Sequence, residues 1–174
     1  EGDRLRVFSV ATMALDSEVA LPPKSWPTRV LEGRSGELYV LLRGAGAIAT
    51  VRGQEVTVTQ VCSEPRALAL GPNADQLTVG CAGGEVVELV GGAISQLRQT
   101  GVEWRDLALT ADGLKGTSFR SAELVTVGQS TTRVPMPAQR VNTSPGSTVL
   151  HRGQVAWRMV AAGTRTYVIH QLHA

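Results

Sequence analysis

A chain of 174 residues, 43% hydrophobic and with a net charge of +2, is long enough to bury one core or one repeat array and too apolar for disorder. Its arginines and acids are interspersed and only 4% of its residues are aromatic, which argues against nucleic acid as a partner, because that needs clustered positive charge and exposed stacking rings. The least polar runs, 10–15 and 86–90, fall far short of the roughly 20 residues that span a bilayer, so no membrane span is expected.

Taken in chain order, strands are expected at 5–9 and 17–21 around Asp16, followed by a connection marked by Pro22, Pro23 and Pro27. A first unit of four strands follows at 29–31, 38–42, 47–51 and 55–59, divided by Gly33, Gly36, Gly44, Gly46 and Gly53. The second runs 66–70, 77–81, 85–90 and 93–98, with turns at Gly71-Pro72-Asn73, Gly83-Gly84 and Gly91-Gly92. The third runs 105–109, 114–119, 124–127 and 132–135, with a turn at Asp112-Gly113. Residues 137–153, polar and carrying Asn142, Thr143, Ser144, Pro145 and Gly146, read as a surface loop insertion, either a binding loop or a disordered excursion. A last hairpin, 154–161 with 166–170, closes around Gly163. No segment keeps an apolar period of 3.6 over 11 residues, so essentially no helix is expected.

One phrase recurs through these units: an arginine, then alternating apolar and small residues. It stands at Arg29, Arg66, Arg105 and Arg158, spaced by 37, 39 and 53 residues. Repeats of about 40 residues built from short strands are the mark of a β-propeller. The expected fold is therefore all-β, a propeller or partial propeller occupying residues 1–174, with about four blades of four antiparallel strands. Three units are complete. The leading pair reads as the outer half of a blade and the trailing pair as the inner half. Either these ends meet in a fourth blade or further blades complete a larger ring. Glu1 is not preceded by Met, as expected of a lost signal peptide or a fragment boundary.

Cys62 and Cys81 are the only cysteines. If Leu70 pairs near Leu77, Cys81 falls opposite Arg66 and close to Cys62, where a disulfide is plausible; the alternative is two buried thiols. His170 and His173 have a spacing that binds metal on a helix, but on a strand it sends the rings to opposite faces. There is no Cys-x-x-Cys-His, nucleophile elbow, P-loop or dinucleotide fingerprint. No catalytic residue, metal site or cofactor is assigned to this chain.

The repeated arginines carry the binding expectation. Of 17 basic residues only Lys24 and Lys115 are lysine. That bias reads as a GC-rich coding sequence or as selection for bidentate anion contacts. If each inner strand starts at one mouth of the channel, Arg29, Arg66, Arg105 and Arg158 recur around that rim, and superposing the units on them brings Leu38 onto Leu77. The rim then suits a small anion or an acidic protein domain. Alternatively each arginine seals a seam between blades by bonding carbonyls or an acid such as Glu64 or Glu103.

The phrases Cys62-Ser-Glu-Pro-Arg-Ala-Leu-Ala-Leu, Leu77-Thr-Val-Gly-Cys-Ala-Gly-Gly-Glu, Ser118-Phe-Arg-Ser-Ala-Glu-Leu-Val-Thr-Val and Val155-Ala-Trp-Arg-Met-Val-Ala, with His170-Gln beyond, resemble a bacterial propeller family typical of myxobacteria. That family lies within the wider YVTN-type, lactonase-like propellers, and the resemblance covers about residues 60–171. Its longer members continue into more blades and a c-type cytochrome domain. The resemblance implies an exported, periplasmic or extracellular protein and a non-catalytic scaffold that docks a redox (cytochrome c-like) or other domain. The alternative reading is a lactonase-like, metal-dependent hydrolase.

Overall fold

Short apolar alternations cut by turn residues give antiparallel strands throughout. The computed structural model describes residues 2–128, 130–144 and 146–173; Glu1 and Pro145, named above, lie outside the described residues. Seventeen strands and no helix occur among the described residues. A leading pair, β1 (Arg4–Phe8) and β2 (Leu15–Ala20), precedes three four-stranded units. The first unit is β3 (Pro27–Glu32), β4 (Leu38–Leu42), β5 (Ala47–Arg52) and β6 (Glu55–Gln60). The second is β7 (Pro65–Leu70), β8 (Gln76–Cys81), β9 (Glu85–Val90) and β10 (Ala93–Gln99). The third is β11 (Trp104–Thr110), β12 (Gly113–Ser118), β13 (Glu123–Val127) and β14 (Thr131–Pro135). A trailing sheet holds β15 (Gln139–Ser144), β16 (Ser147–Ala162) and β17 (Arg165–His173). Within each unit the strands follow in chain order. The turn at Gly91-Gly92 shows what the tight hairpins need: both glycines have positive φ, 59° and 83°, the pairing whose twist matches the flanking strands.

Three complete units and a leading pair are as expected, and the expected trailing hairpin is β16–β17, to which β15 adds a third strand. The segment 137–153 differs from the expected loop. It is largely a β-hairpin, with Gln139 opposite His151 and Val141 opposite Val149. The β-branched Val141, Thr143, Thr148 and Val149 favour extended backbone, and Ser144 pairs with Ser147 at the end of the hairpin. The hairpin is exposed along β15.

The first strand of each unit lies innermost. β7 packs against β3 and β11, and β11 packs against β16. The fourth strands β6, β10 and β14 form exposed outer edges. The core is layered between neighbours. Tyr39, Leu41 and Ile48 of the first unit meet Leu68, Val79 and Leu89 of the second. Ala67, Ala69 and Val86 of the second meet Trp104, Leu107 and Val125. Val19 and Leu21, from the leading pair and its connection, cover Val40, Ala47 and Ala49.

One recurring hydrogen bond closes the hairpins. The residue after each fourth strand donates its N–H to the carbonyl just before the third: Val61 to Gly46, Thr100 to Gly84 and Met136 to Ala122, each at 2.9 Å. Leu21 donates to Asp3 at 2.9 Å in the same way. The same bond closes strand one–two hairpins, from Ala82 to Glu64 and from Phe119 to Glu103 at 2.9 Å, so it marks a paired hairpin at the leading end.

Candidate binding rim

Every inner strand bulges beside its repeated arginine. The register shifts between Pro27 and Arg29, between Pro65 and Ala67, between Trp104 and Asp106, and between Ala156 and Arg158. Thr28, Arg66, Arg105 and Trp157 are thus the equivalent bulged residues. All four repeated arginines lie on inner strands, but they are not equivalent. Arg66 and Arg105 sit on the bulge, whereas Arg29 and Arg158 sit one residue further, at the place of Ala67 and Asp106. A bulge adds one residue without changing the composition of the phrase, and one residue is enough to change the face. Leu38 still aligns with Leu77, pairing with Glu32 as Leu77 pairs with Leu70.

The bulge of β11 is seated by Trp104, which is fully buried. Two glycines make room for its ring. A Cβ on Gly80 of β8 would lie 2.9 Å from Trp104, and one on Gly116 of β12 would lie 2.5 Å from it.

Arg66 seals a seam. It donates through Nη1 to Glu103 at 2.9 Å and through Nη2 to Glu64 at 3.0 Å. Arg43 Nε also donates to Glu64, at 2.9 Å, and Arg120 Nε lies 3.1 Å from Glu103. The bond from Arg66, then that from Arg43, holds the Glu64 carboxyl below its ordinary pKa.

Arg29 reaches inward instead. It donates to Asp106, two units away and without exposure, over the position where the intervening unit carries only Ala67. Asp106 also accepts the Met159 N–H at 2.9 Å and the Leu107 N–H at 3.0 Å. One carboxylate therefore ties the inner strands β3, β11 and β16 together.

Arg105 has no carboxylate partner among the described residues. Its guanidinium carbon lies 5.2 Å from the centre of the Phe119 ring and 4.7 Å from that of Trp157. The two rings meet edge to face, 6.4 Å apart at 82°, and Arg66 approaches the same Phe119 ring at 5.3 Å. Arg105 Nε is buried without a hydrogen-bond partner. Burial first, then repulsion from Arg158, Arg66 and Arg43, pushes the Arg105 pKa down. An incoming anion would relieve both, and the aromatic pair holds the planar fork in place for one.

Cys62 and Cys81 form the expected disulfide, with a Cα separation of 6.5 Å. It joins the connection before β7 to the end of β8, where Cys81 pairs with Pro65, and so fixes the approach to Arg66. Replacing both cysteines with alanine is expected to lower stability by about 3 kcal/mol, read as a lower denaturant midpoint that reductant no longer changes. His170 and His173 both lie on β17, three residues apart, and no group of three or more His, Cys, Asp or Glu able to hold a metal occurs among the described residues.

Sequence reasoning missed Asp106, Phe119 and Trp157. The signal for Trp157 was present, since it stands just before Arg158 in the fourth phrase, but only the bulge shows that it takes the place of Arg66 and Arg105.

Solved structures share this arrangement. A catalytically inactive virginiamycin B lyase from Staphylococcus aureus, with quinupristin, superposes with a TM-score of 0.76 at 14% identity, over 96% of this chain and 56% of that one. A streptogramin B lyase gives 0.69 at 13% identity, over 98% and 62%. BBS1N in complex with ARL6DN gives 0.61 at 16% identity, over 88% and 55%. The fold is that of a β-propeller. At these identities the likeness concerns the propeller fold alone, and this chain spans little more than half of each propeller protein's length. It matches no protein-family model and no curated protein sequence. Within the propeller, the complete units are blades, and the rim just described is the one where their inner strands β3, β7 and β11 begin.

Proposed function

We propose that this chain is a non-catalytic binding module whose rim, centred on Arg105, docks an acidic protein surface or a small anion. The carrying observation is the desolvated Arg105 guanidinium, held on Phe119 and Trp157, without a carboxylate and with Arg43, Arg66 and Arg158 around it. The resemblance to YVTN-type propellers with cytochrome-bearing relatives supports a c-type cytochrome-like domain as the partner. BBS1N with ARL6DN is a propeller in complex with another protein, which supports protein docking as a use of the fold. The disulfide, and the absence of a membrane-length apolar helix among the described residues, support a periplasmic or extracellular address.

Binding of a glutamate-rich peptide tests the reading. Trp157 stacks on Arg105, so its fluorescence is expected to change on binding, and affinity is expected to fall steeply with salt. Arg105→Ala is expected to weaken binding about 10- to 100-fold, the worth of one or two charge-assisted hydrogen bonds. Equal affinity in Arg105→Ala would overturn the reading. Virginiamycin B lyase is an enzyme on this fold, so turnover of quinupristin by this chain, or metal-dependent hydrolysis of a lactone, would also overturn it.

A further inference from the structure

The connection from β2 to β3 carries a strained, exposed tryptophan. Trp26 has φ 47° and is 66% exposed. A bulky residue rarely takes this left-handed backbone, because its Cβ crowds the following carbonyl. The conformation is enforced from outside. The Asp3 carboxylate accepts the Trp26 N–H at 3.1 Å, the Ser25 N–H at 2.6 Å and the Ser25 hydroxyl at 2.9 Å. The Trp26 carbonyl accepts the Arg43 N–H at 3.2 Å. The indole rests on Gly44, where a Cβ would come within 2.9 Å of it. Enforced strain of this kind concentrates at functional sites.

Trp26 stands where the next two blades place an acid. The carbonyl that takes the N–H after the second strand belongs to Trp26 in the first unit, Glu64 in the second and Glu103 in the third. Glu64 and Glu103 hold Arg66 in the seam. No such arginine starts β3, where Thr28 stands at the place of Arg66 and Arg105. Trp26 lies on a connection and over the β4–β5 turn, so it belongs to the rim rather than to a terminal strand edge.

The rim is continuous from Trp26 to Trp157. Arg43, next to Gly44, bonds Glu64, and Glu64 accepts Arg66. Arg66 and Arg105 both lie against Phe119, and Arg105 lies on Trp157. The stripe is positive, with Arg43, Arg66, Arg105 and Arg120 against Glu64 and Glu103.

We infer that this stripe docks an acidic polypeptide segment, whose carboxylates meet Arg105 while an apolar side chain of the same segment covers Trp26. The inference rests on the Arg105 reading and narrows its partner from a small anion to a polypeptide. A small anion covers one guanidinium and leaves the indole at the other end of the stripe in water. A polypeptide reaches both, and Trp and Arg are the residues that dominate such interfaces. The positive charge of the stripe selects an apolar residue for Trp26 over Lys or Arg, which it repels.

Two probes separate the ends of the stripe: a glutamate-rich peptide, and the same peptide with leucine at each end. The leucine-flanked peptide is expected to bind about 10- to 30-fold more tightly. Trp26→Gly is expected to abolish that difference with its melting temperature close to that of the unaltered chain, since glycine takes positive φ without strain. Arg105→Ala is expected to weaken both peptides alike. Equal affinity of the unaltered chain for the two peptides would overturn the inference, as would a preference that survives in Trp26→Gly, or inorganic phosphate binding as tightly as the flanked peptide. Those results leave the Arg105 reading standing, whereas unchanged affinities in Arg105→Ala overturn that reading and the inference with it. Trp26→Asn, which tolerates the same backbone with a polar side chain, repeats the test independently of glycine. A large fall in melting temperature in both variants would make the indole a packing element over Gly44 and overturn the inference.

Discussion

Replacing Asp106 with alanine is expected to lower stability by about 3–5 kcal/mol, the cost of breaking a buried charge pair from one side. The variant leaves the partly buried Arg29 guanidinium and the buried Met159 N–H without their acceptor. It also unties three inner strands at once, because β3 and β16 are joined to β11 through this carboxylate. Asp106→Asn keeps an acceptor oxygen and is expected to recover part of the loss. Arg29→Ala is expected to cost less than Asp106→Ala, since Asp106 retains two N–H donors. Denaturant titration of the three variants reads the order directly. A loss below about 1 kcal/mol for Asp106→Ala would mean that the inner strands do not depend on the tie.

Trp104→Ala is expected to cost a similar 3–5 kcal/mol, because a large, fully buried side chain leaves a cavity that its strand neighbours cannot fill. The glycines around it make the test specific. Gly116→Ala alone is expected to cost about 1–3 kcal/mol by overpacking, since its Cβ would sit 2.5 Å from the Trp104 ring. In the Trp104→Ala background the same change is expected to cost less, because the ring is gone while Leu107 Cδ2 at 2.6 Å and the Asp106 carbonyl at 2.8 Å still crowd the new Cβ. Additive losses in this double-mutant cycle would show that Gly116 serves the backbone rather than the ring.

Much of this architecture was legible because period-two alternation and dense turn residues leave few alternatives to a repeat of short strands. The leading pair β1–β2, the trailing hairpin β16–β17 and the Cys62–Cys81 bond followed from the same spacing. The rim was legible only in part. The phrases at Arg29 and Arg158 read like those at Arg66 and Arg105, but a bulge has no compositional signature, so the one-residue offset between the two pairs was invisible. The Arg29–Asp106 tie joins residues 77 positions apart on non-adjacent blades, and nothing local in either phrase marks it. The segment 137–153 hid a hairpin because its turn is more conspicuous than its β-branched flanks.

The division of labour between Arg66 and Arg105 is the centre of the functional reading, and two variants measured side by side test it. Arg66→Ala removes bonds to Glu64 and Glu103 and is expected to lower stability by about 1–3 kcal/mol. Arg105→Ala loses only stacking, about 0.5–1 kcal/mol per ring, and relieves burial and repulsion, so its melting temperature is expected to stay close to that of the unaltered chain. The most direct measurement is the affinity for a glutamate-rich peptide together with the melting temperature of the Arg105→Ala protein. Binding lost with melting unchanged is the expected result. Binding intact with a large fall in melting temperature would contradict it, and would make Arg105 a sealed part of the blade seam like Arg66.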